Sequence, residues 1–113
     1  MDRVTWSLEK GGVALVTMRD GENRLNASFL ASFQNALDAV ERETDARALV
    51  VTSEHEKIFS NGIDLDWLMP LIQAQAWDEA KAFFSGMMAL FRRILTFPVI
   101  TVAAISGHAF AGG

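Results

Sequence analysis

Apolar and polar residues alternate along this chain with two periods, and each change of period marks an element. Val4–Leu8 and Val13–Met18 are short runs, the second rich in β-branched residues, and read as strands. Glu9-Lys10-Gly11-Gly12 between them suits a hairpin connection, because glycine takes the positive φ of a tight turn. Arg19–Asn26 is a polar loop. From Phe29 the period lengthens: Phe29, Leu30, Phe33, Leu37 and Val40 share one helical face, with Gln34, Asn35, Asp38 and Glu41 opposite. Asn26 or Ser28 is placed to cap this helix, and it should end near Thr44. Ala48–Thr52 is continuously apolar, which predicts a strand buried on both faces and a right-handed strand–helix–strand unit. After the loop Ser53–Lys57 and the segment Phe59–Leu65, helices are expected over Asp66–Ile72 and Trp77–Leu95. Pro98 stops the latter. Val99–Ile105 reads as a further two-sided apolar strand, running into Gly107–Gly113. The three apolar strands are expected to be neighbours.

Composition narrows the class. The chain has 113 residues, 50% hydrophobic, with a formal net charge of −4, which excludes intrinsic disorder. A pI near 5.0 without a basic cluster argues against nucleic-acid partners. Cysteine is absent, so disulfides and thiol nucleophiles are excluded. No secretory h-region and no apolar run of about 18 residues stand out, which predicts a cytoplasmic protein that does not enter a membrane. No His/Asp/Glu spacing suggests a metal site, and no Ser sits in a Gly-x-Ser-x-Gly elbow. His55 reads as a solvated loop residue. His108 lies in a glycine turn without a partner for acid–base work.

Two segments offer chemistry through their backbone. A glycine turn after a buried strand, as in Phe59-Ser60-Asn61-Gly62-Ile63-Asp64-Leu65, can aim N–H groups into a cleft and stabilise a developing oxyanion. The plain alternative is a strand-to-helix turn capped by Asp64 or Asp66. Gly107–Gly113 has the spacing of an anion-binding turn, but Gly113 stands where a phosphate loop needs lysine, so a nucleotide binder is disfavoured. The glycines equally permit close backbone packing.

Taken together, these motifs resemble the crotonase, or enoyl-CoA hydratase/isomerase, superfamily. Arg24-Leu25-Asn26-Ala27 resembles the family's opening turn. Phe59–Leu65 is similar to its Phe-x-x-Gly-x-Asp-Leu signature. Pro98-Val99-Ile100 through Gly107–Gly113 is similar to its Pro-Val-Ile-Ala-Ala-x-x-Gly-x-Ala-x-Gly-Gly-Gly segment. The Ser-Asn-Gly form is most similar to the Δ3,Δ2-enoyl-CoA isomerase-like branch. The resemblance implies an α/β spiral of β-β-α units, with residues 1–113 as the N-terminal part of one domain. It implies an acyl-CoA substrate and no separate cofactor or metal. It also implies an oxyanion hole from the backbone N–H groups of Ile63 and Gly112. Arg24, Asn26, Ser60, Asn61, Gly62 and Asp64 would hold the substrate. Ala111 replaces the first glycine of the triplet, and Ile63 is bulkier than the small residue common there. The family's acid/base carboxylates lie beyond the triplet, so this segment alone is expected to be inactive. A non-catalytic acyl-CoA-binding or assembly module of the same fold is the alternative. The apolar Trp77–Leu95 helix and the resemblance together imply a homo-trimer or hexamer in the full-length protein.

Overall fold

The computed structural model describes residues 3–113. β1 (Val4–Glu9) and β2 (Val13–Met18) form the expected antiparallel hairpin, with Gly11 and Gly12 at φ +89° and +82°. β2 continues through the polar loop into α1 (Ala27–Glu43), and β3 (Ala48–Ser53) returns parallel to β2. Asn26 is the cap: its Oδ1 accepts from the Phe29 N–H at 2.9 Å, leaving Ser28 inside the helix. β4 (Ile58–Ser60) leads to α2 (Leu65–Gln73) and α3 (Trp77–Leu95), followed by β5 (Ile100–Ala103) and β6 (His108–Ala109). The main sheet has the order β1-β2-β3-β5, so the three apolar runs are neighbours as expected. A second sheet, parallel β4 and β6, had no counterpart in the sequence reading.

The core lies on one side of the main sheet. Ala14, Val16 and Met18 of β2 and Leu49 and Val51 of β3 are buried. They are alternate residues and therefore face one way. They meet Phe29, Phe33, Leu37 and Val40 of α1. α1 packs on β1 and β2, and α3 packs on α1 and α2. Arg93 clamps the two long helices, reaching Asp38 at 2.8 Å and Glu41 at 3.1 Å.

Two-sided burial is the expectation that the structure corrects. Val50 is only partly buried, and β5 is an edge strand with Ile100 75% and Val102 50% exposed. An apolar run reports what a strand can bury, whereas the packing elements decide what it does bury. On α3, Ala80, Phe83, Met87 and Leu90 face the core, while Trp77, Phe84, Met88 and Leu95 stay exposed on its flank. No helix among the described residues is long and apolar enough to cross a membrane.

Candidate oxygen-binding turns

Three chain segments converge beyond the end of β4. The first is the loop before α1. Asn23 is fully buried at φ +54°, a left-handed conformation that asparagine tolerates better than most residues. Its Oδ1 accepts from the Asp20 N–H, and its Nδ2 donates to Ser53 Oγ at 2.8 Å and to Phe59 O at 2.9 Å. Ser60, also buried, donates from Oγ to Asn23 O at 2.7 Å and accepts from the Gly62 N–H at 3.0 Å. These buried bonds pin the loop to the β3–β4 region. Asn23 was missed by the sequence reading, which saw only a polar loop residue.

The second segment is Asn61–Asp64. It runs beside Leu25: the Leu25 N–H donates to Gly62 O at 2.7 Å and the Asp64 N–H to Leu25 O at 2.9 Å. Leu25 and Ile63 form an isolated parallel bridge. Asp64 is the helix cap, accepting from the Trp67 N–H, while its other oxygen accepts from Asn26 Nδ2 at 3.0 Å. The plain capping reading therefore holds for Asp64 and not for Asp66.

The third segment is the turn Phe110–Gly113. It crosses directly over the second. The Phe110 N–H donates to Ser60 O at 3.0 Å, and the Ile63 N–H donates to Ala111 O at 3.1 Å. Glycine is required at the crossings. A Cβ on Gly62 would collide with the carbonyls of Phe110 and Ala111, and one on Gly107 with the carbonyl of Lys57. The close-packing reading of these glycines is thus correct for Gly107, where β6 lies against β4. The Gly112 N–H makes no hydrogen bond among the described residues.

The sequence-derived site residues accordingly gather in one place, with unequal freedom. Arg24 is tied to Glu22 at 3.0 Å and to Asp66 at 3.1 Å, with Asp64 at 4.0 Å. Asn61 donates from Nδ2 to Glu22 Oε2 at 2.7 Å. Arg3, Asp20, Glu22, Arg24, Asn26 and Asp64 line a polar hollow of about 380 Å³. Its cations are met by carboxylates, so it has no surplus of positive charge for a polyanion. An apolar cavity of about 200 Å³ lies on the other side of the turn, bounded by residues that include Phe29, Phe33, Leu90, Phe91 and Gly112. His55 is not simply solvated: Nδ1 accepts from the Lys57 and Ile58 N–H groups at 3.0 and 3.1 Å and shapes the turn into β4. His108 is exposed and stacked on Phe110, with ring centroids 5.6 Å apart.

The hydrogen bond from Asn61, followed by that from Arg24, holds the Glu22 carboxyl below its ordinary value of 4.5. The Glu22 hydrogen bond and charge raise Arg24 in turn. A lowered folded-state pKa gives stability that is present above the unfolded value and lost as pH falls through the folded one. In an NMR titration the Glu22 carboxyl is expected to change below pH 4.5, together with the Asn61 side-chain amide. Glu22→Gln should abolish that coupled change. A Glu22 transition at or above 4.5 would show that the pairing is not formed in solution.

Residues 8–113 match the family described as enoyl-CoA hydratase/isomerase. A Thermus thermophilus protein assigned as an enoyl-CoA hydratase is 40% identical over 108 residues, covering 94% of this chain and 42% of the relative. The peroxisomal enoyl-CoA delta isomerase 2 of Arabidopsis thaliana is 29% identical, covering 95% and 46% respectively. Among solved structures, the apo enoyl-CoA isomerase of Mycobacterium tuberculosis superposes with a TM-score of 0.84 at 32% identity, over 99% of this chain and 46% of that one. The chain thus spans less than half the length of each of these relatives.

Proposed function

The chain belongs to the enoyl-CoA hydratase/isomerase family and has its α/β crotonase fold; from that premise we propose that its two crossing turns bind the carbonyl oxygen of an unsaturated acyl-CoA thioester. The donors are the backbone N–H groups of Ile63 and Gly112. Residues 1–113 are the N-terminal part of one domain, and the acyl chain lies toward the apolar cavity beside Gly112. One observation supports the reading above the others. Ile63 N–H is hydrogen-bonded to the very peptide that carries the Gly112 N–H, so both donors belong to one small backbone junction.

Hydration and double-bond migration both pass through negative charge on the thioester oxygen. Backbone donors held by packing stabilise that charge once the Ile63 N–H exchanges Ala111 O for the thioester oxygen, and losing one such donor typically costs about 10²–10³ in rate. The two carboxylates next to the first turn do not supply proton transfer. Asp64 is spent on the α2 cap and on Asn26, and Asp66 is highly exposed and paired with Arg24. Residues 1–113 by themselves are thus read as binding the oxygen without turnover, and the whole protein as an acyl-CoA-processing enzyme of this family. Trimeric or hexameric assembly is retained as part of the proposal, supported by the exposed apolar flank of α3.

The test is an amide-resolved NMR titration of the chain with butyryl-CoA, using free CoA as the control. Ile63 and Gly112 should shift together and saturably with the thioester, with smaller changes from CoA alone. Equal shifts with CoA alone, or shifts confined to residues far from both turns, would overturn the oxygen-site reading.

A further inference from the structure

The two strands that lead into the crossing segments are short. β4 has three residues and β6 two, and their pairing, Ile58 with His108 and Ser60 with Ala109, is irregular in between. So small a pair depends on how its ends are held. Two side chains of the preceding turn hold the entry to β4. Ser53 Oγ donates to Ile58 O at 2.8 Å and does not titrate. His55 holds the N–H groups: those of Lys57, at 3.0 Å, and Ile58, at 3.1 Å, both donate to its Nδ1. Two donors on one nitrogen require a lone pair there, so the ring is neutral with its proton on Nε2. β6 rests on the same stretch. The His108 N–H donates to Lys57 O at 3.0 Å, and Gly107 packs so closely on that carbonyl that a Cβ would collide with it.

We propose that His55 is a positioning residue for the oxygen site: its unprotonated Nδ1 brackets the turn into β4, and a second proton on the ring releases that turn and β6 with it. The inference rests on the thioester reading above, because β4 runs into the Asn61–Asp64 segment and β6 toward the turn that crosses it. An imidazolium carries N–H on both nitrogens, so it accepts nothing and points a donor at two donors. Lys57 and Ile58 then lose their partner, and the carbonyl that receives His108 is no longer fixed. Histidine ordinarily changes charge between about pH 5 and 8, so the bracket is closed on the alkaline side of the ring's titration and open on the acid side. The charged neighbours do not reproduce this. Glu54 is paired with Arg19 at 2.8 Å, and Glu56 and Lys57 are exposed. Glu22, from the loop before α1, feels the His55 charge but is bonded to Asn61 and Arg24. The His108 ring is exposed and stacked on Phe110, so β6 meets the bracket through its backbone. Asparagine is the informative replacement. Its Oδ1 is bonded to Cγ as Nδ1 is, and asparagine accepts from N–H groups a little further along its own chain without titrating.

The test compares the wild-type chain with His55→Asn and His55→Ala at about pH 8 and about pH 5. Amide exchange is expressed as protection relative to an unstructured chain, which removes the intrinsic effect of pH. In wild type the Lys57, Ile58 and His108 amides should be protected at the higher pH. They should lose about tenfold of that protection at the lower one, in step with the ring signals of His55, and butyryl-CoA should bind about tenfold more weakly there. His55→Asn should keep protection and affinity at both pH values, and His55→Ala should show the weak values at both. Wild-type pH dependence retained in His55→Asn would assign the effect to His108 or Glu22 and overturn the proposal. So would a wild type without pH dependence, or binding that changes with pH while the three amides do not. If His55→Ala does not fold, wild type and His55→Asn decide between these outcomes. Should the amides respond as expected while no chain binds butyryl-CoA at either pH, the bracket stands and the thioester reading falls.

Discussion

Replacing Gly62 with alanine is expected to cost about 3–5 kcal/mol of folding stability, a loss reserved for changes that break a specific structural requirement. Two penalties combine at this position. Gly62 has φ +74°, which strains any residue with a Cβ. The Cβ itself would meet the Phe110 and Ala111 carbonyls, which are backbone atoms and cannot rotate away as a side chain would. The second turn would have to lift off the first, and the Ile63 N–H to Ala111 O bond would break. Urea unfolding checks the energy, and the Ile63 amide shift checks the local cause. Gly86→Ala is the matched control. Gly86 lies inside α3, and its added Cβ would make only an ordinary contact with Leu30 Cδ1 at 3.6 Å. Alanine there should stabilise the chain by about 0.5–1 kcal/mol, because it removes the entropy cost of a helical glycine. If the two variants unfold at the same urea concentration, the crossing of the turns is not formed in solution.

Asn23→Ala should cost about 3–4 kcal/mol. The side chain is fully buried and accepts one hydrogen bond while donating two, to Ser53 and Phe59. Each lost bond is worth about 1 kcal/mol, and a carbonyl left unsatisfied in the interior costs more than an exposed one. Alanine would also occupy a left-handed conformation, at about another 1 kcal/mol. The change acts on the site from a distance. Asn23 O receives the Ser60 hydroxyl, whose oxygen in turn accepts from Gly62 N–H, so loosening the loop loosens the first turn. Urea unfolding should show the stability loss, and the Gly62 amide should exchange faster even where the chain stays folded. A loss below about 1 kcal/mol would mean that water substitutes for the amide and that the loop is held elsewhere.

What could be read from the residues themselves was whatever depends on short range. The hairpin was legible because Gly11-Gly12 lies between two β-branched runs. The Trp77–Leu95 helix was legible with both its ends, because its apolar period is long and Pro98 closes it. The glycine motifs marked where two backbones cross, because only glycine allows so close an approach, and that demand shows in the residue type. The β4–β6 sheet was not legible. Strands of three and two residues carry no readable period, and their pairing joins segments nearly fifty positions apart. Asn23 looked like any loop asparagine, since its burial comes from β3 and β4 folding over it. The apolar run ending in β5 could not reveal that it would form an edge, because exposure belongs to the neighbours of a strand and not to the strand. The same holds where the two segments cross: Gly62 and Ile63 meet Ala111 and Gly112 because the Phe110–Gly113 turn lies over the stretch that bridges to Leu25. That the Ala111 carbonyl faces the Ile63 N–H is set by how the two segments pack, because their contact joins residues far apart in the chain.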